Sequence, residues 1–131
     1  MVIDTSALVA ILTGEPEQAA FIDAIDRAEV RLVSAATHVE ASIVISVRHG
    51  PAGLHDFDRL LDRAGFEIVP VDAEQALAAR SAFQRFGKGR HPAALNYGDC
   101  FSYALAATRG EPLLFKGNDF GLTDVPQWKP A

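Results

Sequence analysis

Asn96-Tyr97-Gly98-Asp99-Cys100-Phe101-Ser102-Tyr103-Ala104-Leu105-Ala106-Ala107 decides how this chain is read, because from Asp99 to Thr108 it is apolar or small on almost every side and carries a single charge. A helix without a polar face is buried between other layers rather than laid on a surface. A carboxylate there is costly unless it is hydrogen-bonded, paired, protonated or bound to a metal, and no basic residue follows before Arg109. Two roles are therefore open to Asp99. Asn96 is a fitting N-cap, and an acid three residues later completes a capping box at the positive end of the helix. The alternative is a functional site.

Outward from this helix, short apolar stretches alternate with helical ones, the pattern of an α/β layer structure with a mainly parallel sheet. Met1 to Asp4 predicts a strand ending on an acid, and Thr5 to Leu12 a helix closed by Gly14; Thr5 or Ser6 can cap it, leaving Asp4 free. Pro16 suits the first position of a second helix with Phe21, Ile22 and Ile25 on its apolar face. Val30 to Ser34 predicts a strand. Thr37 and Glu40 form a capping box for the next helix, whose core stripe reads Glu40, Ile43, Val44 and Val47 and so turns Glu40 inward.

Gly50-Pro51 breaks the chain ahead of a helix buried along Leu54, Phe57, Leu61 and Ala64. Phe66 to Val71 predicts a strand that Pro70 assigns to an edge or an end. Asp72 and Gln75 start a helix with Ala76, Ala79, Phe83 and Phe86 as its apolar line, and Gly87-Lys88-Gly89-Arg90-His91-Pro92 is a basic loop able to admit a phosphate backbone. Beyond Gly110, Pro112 to Phe115 predicts a buried strand with Asp119 just past its end. Val125 begins a last short strand, and Trp128 anchors the tail by packing.

With 131 residues, 49% of them hydrophobic, the chain can bury a core without staples, which predicts one domain over 1–131. A lone cysteine, Cys100, excludes an internal disulfide and reads as a small core residue. The sequence shows neither a charged leader with a cleavage site nor an apolar run long enough to span a bilayer, so the expected location is cytoplasmic, with no membrane association. A net charge of -5 argues against coating nucleic acid by bulk attraction. It leaves room for an enzyme that meets nucleic acid through metal ions and a few local cations.

Asp4 and Asp119 end strands while Glu40 and Asp99 begin helices, and in a parallel sheet those positions share one rim. Two carboxylates about 4 Å apart repel by roughly 4 kcal/mol at an effective dielectric near 20. A tight cluster must then protonate, separate or bind a cation. Magnesium accepts a few carboxylates and leaves positions for water and phosphate oxygens. Softer metals call for histidine or cysteine, and the four histidines show no paired ligand spacing. Such a cage suits phosphodiester hydrolysis by an oriented water.

On Val2-Ile3-Asp4-Thr5-Ser6-Ala7, Val39-Glu40-Ala41-Ser42, Leu95-Asn96-Tyr97-Gly98-Asp99-Cys100-Phe101 and Leu114-Phe115-Lys116-Gly117-Asn118-Asp119-Phe120, the chain resembles the PIN-domain nucleases, and within them the VapC toxins of toxin-antitoxin modules. The resemblance implies a PIN-like three-layer sandwich around a mainly parallel sheet with the first strand central. It implies an endoribonuclease dependent on Mg2+, with Mn2+ as a substitute, and Asp4, Glu40, Asp99 and Asp119 as the catalytic quartet. Asp4 and Asp99 are the first choices for direct metal ligands; Glu40 and Asp119 act directly or through water. A VapB-like antitoxin, a homodimer and a structured RNA substrate, transfer or ribosomal, are implied as well. Ser6, Lys88, Arg90 and Lys116 are candidate substrate contacts.

The last motif departs from many PIN domains, which carry a hydroxyl residue and an extra acid where this chain has Phe115, Lys116 and Asn118. Two rival readings are weaker. A receiver-like phosphate-accepting signalling domain needs paired acids after its first strand, where Thr5-Ser6 stand here. A catalytically silent PIN-like module that only binds RNA or protein gains nothing from a full set of four acids.

Overall fold

The computed structural model describes residues 1–130; Ala131, the last residue of the expected domain, lies outside them. The order is β1 (Val2–Ile3), α1 (Thr5–Leu12), α2 (Gln18–Arg27), β2 (Leu32–Ser34), α3 (Ala35–Ala64), β3 (Glu67–Val69), α4 (Ala73–Phe86), α5 (Tyr97–Arg109) and β4 (Leu113–Leu114), followed by a 3-10 turn over Phe120–Leu122. The four strands form one sheet in the order β3-β2-β1-β4, and every pairing is parallel. As expected, β1 is an inner strand and β3 an edge.

Alternation along these short strands divides the core in two. Ile3, Val33 and Leu114 face one way, into a cluster with α1, α2 and α3. Val2, Leu32, Val69 and Leu113 face the other way, toward α4 and α5. Helices thus cover both faces, as an all-parallel sheet requires, and the predicted three-layer sandwich is the observed one. α5 is the buried helix its composition demands, with Cys100 and the run from Ser102 to Ala106 withdrawn from solvent.

Several local expectations are corrected. α3 starts at Ala35, capped by Ser34, whose side chain accepts the Ala36 N–H at 3.3 Å; Thr37 is buried and caps nothing. Its core stripe is Thr37, Ala41 and Ile45, whereas Val39, Ile43 and Val47 are 56%, 60% and 82% exposed. The helix is rotated from the predicted setting, which moves Glu40 and Val44 to the boundary between core and solvent. The predicted break is real: Gly50, at φ 65 and ψ -158, divides α3 into two limbs, a conformation that glycine adopts without strain.

On α4 the buried line is Gln75, Ala79, Ala82 and Phe86, and Ala76 and Phe83 are exposed. α2 begins at Gln18, two residues after Pro16, and the predicted last strand is reduced to a single parallel bridge between Leu113 and Gln127. Trp128 does anchor the tail, packing edge-on against Phe21 with ring centroids 5.8 Å apart. Among the described residues no helix is long and apolar enough to cross a membrane.

Candidate metal centre

Asp4 leaves β1 and becomes the N-cap of α1, its Oδ2 accepting the Ser6 N–H at 3.0 Å. The cap is therefore the acid itself. The hydroxyls that sequence offered as caps have other partners. Ser6 Oγ donates to Asp4 Oδ2 at 2.7 Å and accepts the Lys116 N–H at 3.0 Å, while Thr5 Oγ1 donates to Glu40 Oε1 at 2.5 Å. The second oxygen of Asp4 is held from α5, where Ser102 Oγ donates to Oδ1 at 2.6 Å. Ser102 in turn lies 3.1 Å from the Thr37 hydroxyl, and both are buried. Asp4, only 3% exposed, is thus fixed in orientation by α1 on one side and by α5 on the other.

Asp99 fills the first of the two roles considered for it, the cap. Its Oδ2 accepts the Asn96 N–H at 3.0 Å and its own N–H donates to Asn96 Oδ1 at 2.9 Å, a complete capping box. Burial nevertheless pushes its carboxyl up to about 6; the Asn96 backbone bond pulls down, and the charges of Asp4, Glu40 and Asp119 push up further. Glu40 reaches the same place from α3. It lies so close over Gly98 that a Cβ there would fall 2.0 Å from Glu40 Oε2. Only a residue without a side chain lets the two helices bring these acids together.

Asp4, Glu40 and Asp99 line one open cleft of about 500 Å³, together with Ser6, Arg48 and Lys116. Asp119 is outside that lining, exposed at the start of the 3-10 turn and making no capping bond, although its charge acts on Asp99. The Lys116 ammonium sits 3.2 Å from both Glu15 and Glu17. Lys88 and Arg90 do not line the cleft, and the Arg90 guanidinium lies over the Phe83 ring, 5.6 Å from its centroid. Cys100 is no nucleophile: it is buried, its thiol is pushed up to about 11 and its Sγ bonds to the Asn96 carbonyl.

Among the described residues no three histidine, cysteine or acidic side chains approach closely enough to grip an ion between them. The cause is visible in their bonds. Asp4, Glu40 and Asp99 are each tied to separate hydrogen-bond donors of the fold, and like charges in a partly buried cleft repel. Magnesium asks for less, being commonly held by one or two carboxylates with water completing its shell. The donor set fits such an ion: oxygen ligands only, and acids that raise one another's proton affinity at Asp99.

Sequence reading missed Thr37, Gly98, Ser102 and Arg48. Ser102 follows Asp99 by three residues and Arg48 follows Glu40 by eight, spacings that keep each on its acid's side of the helix. For Gly98 the only signal was its place beside the acid.

The PIN domain family profile matches residues 1–126. Ribonuclease VapC from Mycolicibacterium smegmatis is 58% identical over 125 residues, covering 95% of this chain and 97% of that protein. The crystal structure of Mycobacterium tuberculosis VapC20, described as a sarcin-ricin loop cleaving toxin, superposes with a TM-score of 0.79 at 15% identity, covering 98% of each chain. The VapBC2 complex of Rickettsia felis, solved with a DNA fragment from its promoter, gives a TM-score of 0.74 at 14% identity, over 97% of this chain and 96% of that one. At those identities the two structures speak to the fold.

Proposed function

This chain belongs to the PIN-domain family and, within it, to the VapC ribonucleases, and from that premise we propose that residues 1–131 act as one Mg2+-dependent endoribonuclease domain, with Mn2+ able to substitute. One observation carries the metal dependence. Asp99 is pushed up to about 6, first by burial and further by the charges of Asp4, Glu40 and Asp119, and a divalent cation would relieve that repulsion.

A bound hard cation supplies a Lewis acid that lowers the pKa of a water and neutralises charge on phosphate oxygens. The protein does the rest. Asp4 would be the fixed ligand, held by Ser6 and Ser102; Asp99 would be the second, kept at the helix start where the dipole favours its charge. Glu40, steadied by Thr5, faces the same cleft and is placed to orient water, and Asp119 acts from the rim. Ser6 and Lys116 stand where substrate enters. Lys88 and Arg90, outside the cleft, would meet only a longer RNA.

The substrate we propose is a structured RNA, transfer or ribosomal, whose cutting halts translation until a VapB-like antitoxin covers the cleft. The exposed row of Val39, Ile43 and Val47 on α3 supports docking of a protein, and we assign it to a homodimer. Light scattering is expected to give twice the chain mass, and a monomer at micromolar concentration would remove that assignment.

Induction of the protein in cells is expected to create new RNA 5' ends at a few positions. The purified protein should make the same cuts, lose them in EDTA and regain them with added manganese. Undiminished cutting in EDTA would refute the metal-dependent reading.

A further inference from the structure

RNA is a polyanion, yet the cleft that would receive it is lined by Asp4, Glu15, Glu40 and Asp99. A bound cation offsets part of that charge at one point, and a strand crossing the rest needs positive charge along its path. Two basic residues line the cleft, Arg48 and Lys116. Lys116 is held by Glu15 and Glu17. Arg48 is exposed and, among the described residues, enters no ion pair.

Position adds to charge. Glu40, Val44 and Arg48 follow one another at i, i+4 and i+8 on the first limb of α3, a row about 12 Å long at 1.5 Å per residue. All three line the cleft, and Val44 with Val9 makes an apolar floor between the acid and the base. One end of the row is at the proposed metal centre and the other carries a free guanidinium.

We propose that Arg48 binds a backbone phosphate of the RNA strand, one that flanks the scissile phosphate, so that the strand runs along α3 with a sugar or base over Val44. The proposal rests on the ribonuclease reading and names a residue that sets the path of its substrate. A guanidinium suits the task because its planar fork donates two parallel hydrogen bonds to one phosphate. A competing role is purely structural: Arg48 stands in the last turn before Gly50, where a positive charge offsets the helix dipole.

The two roles separate in the salt dependence of RNA binding. A short fluorescent single-stranded RNA of mixed sequence is titrated at several salt concentrations with calcium replacing magnesium, its integrity checked on a gel. Each phosphate contact to a single strand contributes about 0.7 to the slope of log affinity against log salt. Arg48→Gln is expected to make that slope shallower by about 0.7 and to weaken unrelated sequences alike, and Arg48→Lys to keep it, because the charge remains.

An unchanged slope in Arg48→Gln, with or without a lower melting temperature, overturns the proposal, as does an effect confined to binding of a protein partner. Wild-type protein is the control that tells two failures apart. If it neither binds nor cuts RNA, the ribonuclease reading falls and takes Arg48 with it. If it does both while the variant keeps the slope, Arg48 alone is wrong.

Discussion

Replacing Asp99 with asparagine is expected to abolish RNA cleavage while making the metal-free protein more resistant to heat at pH 8. The two effects share one cause. Loss of partners that merely orient a metal ligand costs about 10–100-fold in metal affinity or activity. Removing a ligand's charge should cost more, and turnover is expected to fall by more than about 100-fold.

The stability effect follows from the sign of the shift. An aspartate pushed up to about 6 from an ordinary 3.8 binds more protons folded than unfolded between those values. Its stabilising contribution is full below about pH 4 and is lost as pH rises through about 6. At pH 8 the ionised Asp99 works against the fold. Asparagine keeps an oxygen for the Asn96 N–H and sheds the charge. Favourable interaction with the helix dipole is lost too, but the net upward shift shows that burial and the neighbouring acids outweigh the local favourable interactions. Thermal unfolding of both proteins in EDTA from pH 4 to pH 8 checks this: the variant's advantage should grow as pH rises from about 4 to about 6 and level off above that. Added manganese should raise the wild type and leave the variant nearly unmoved. A variant less stable than the wild type at every pH would refute the account.

Gly98→Ala is expected to separate folding from activity. Gly98 is in the first turn of α5 without a positive φ, so its backbone accepts alanine, and helix propensity favours alanine by up to about 1 kcal/mol. The nearest obstruction is the end of the Glu40 side chain: the new Cβ would lie 2.0 Å from Oε2, 2.6 Å from Cδ and 2.7 Å from Oε1. A glutamate at the cleft edge can rotate away, giving up its bond to Thr5. Because that motion is cheap, the melting temperature should stay within a few degrees of wild type. The catalytic cost should approach that of Glu40→Gln, about 10–100-fold or more, since both leave the cleft without a placed carboxylate at this point. Steady-state cleavage beside thermal unfolding decides it, and a fully active Gly98→Ala protein would show that Glu40 has no role in the chemistry.

Much of this was legible before any coordinates. Asp99 announced itself because a charge in an otherwise apolar helix demands a partner, and the capping box that accounts for it is there. Gly50-Pro51 and the edge strand before Pro70 also came through, because glycine and proline limit the backbone directly, whereas the inner position of β1 followed only from the family resemblance. The setting of α3 did not. Its true core stripe, Thr37, Ala41 and Ile45, is less hydrophobic than the exposed row of Val39, Ile43 and Val47, so periodicity alone pointed the helix the wrong way. An exposed apolar row looks, in sequence, like a core.

The site was legible as a set of acids and illegible as a network. Nothing in Ser102 distinguishes it from any small residue in a buried helix, because its significance lies in a contact 98 residues away in sequence. Sequence offers Thr5 and Ser6 as caps and so leaves Asp4 free of that role. The fold instead uses the acid as cap and both hydroxyls to steady acids.

The bond from the Lys116 N–H to Ser6 leaves one further mark, on how this sequence is free to drift. The last motif lacks the hydroxyl found there in many PIN domains, and the group that reaches toward Asp4 from this loop is a main-chain amide, acting through Ser6. Amides are indifferent to the side chain they carry, so proline alone cannot supply this one. Position 116 can therefore wander through the remaining amino acids without disturbing the support of Asp4, and the lysine found there answers to other pressures. A poor match at this motif is then weak grounds for calling a relative inactive.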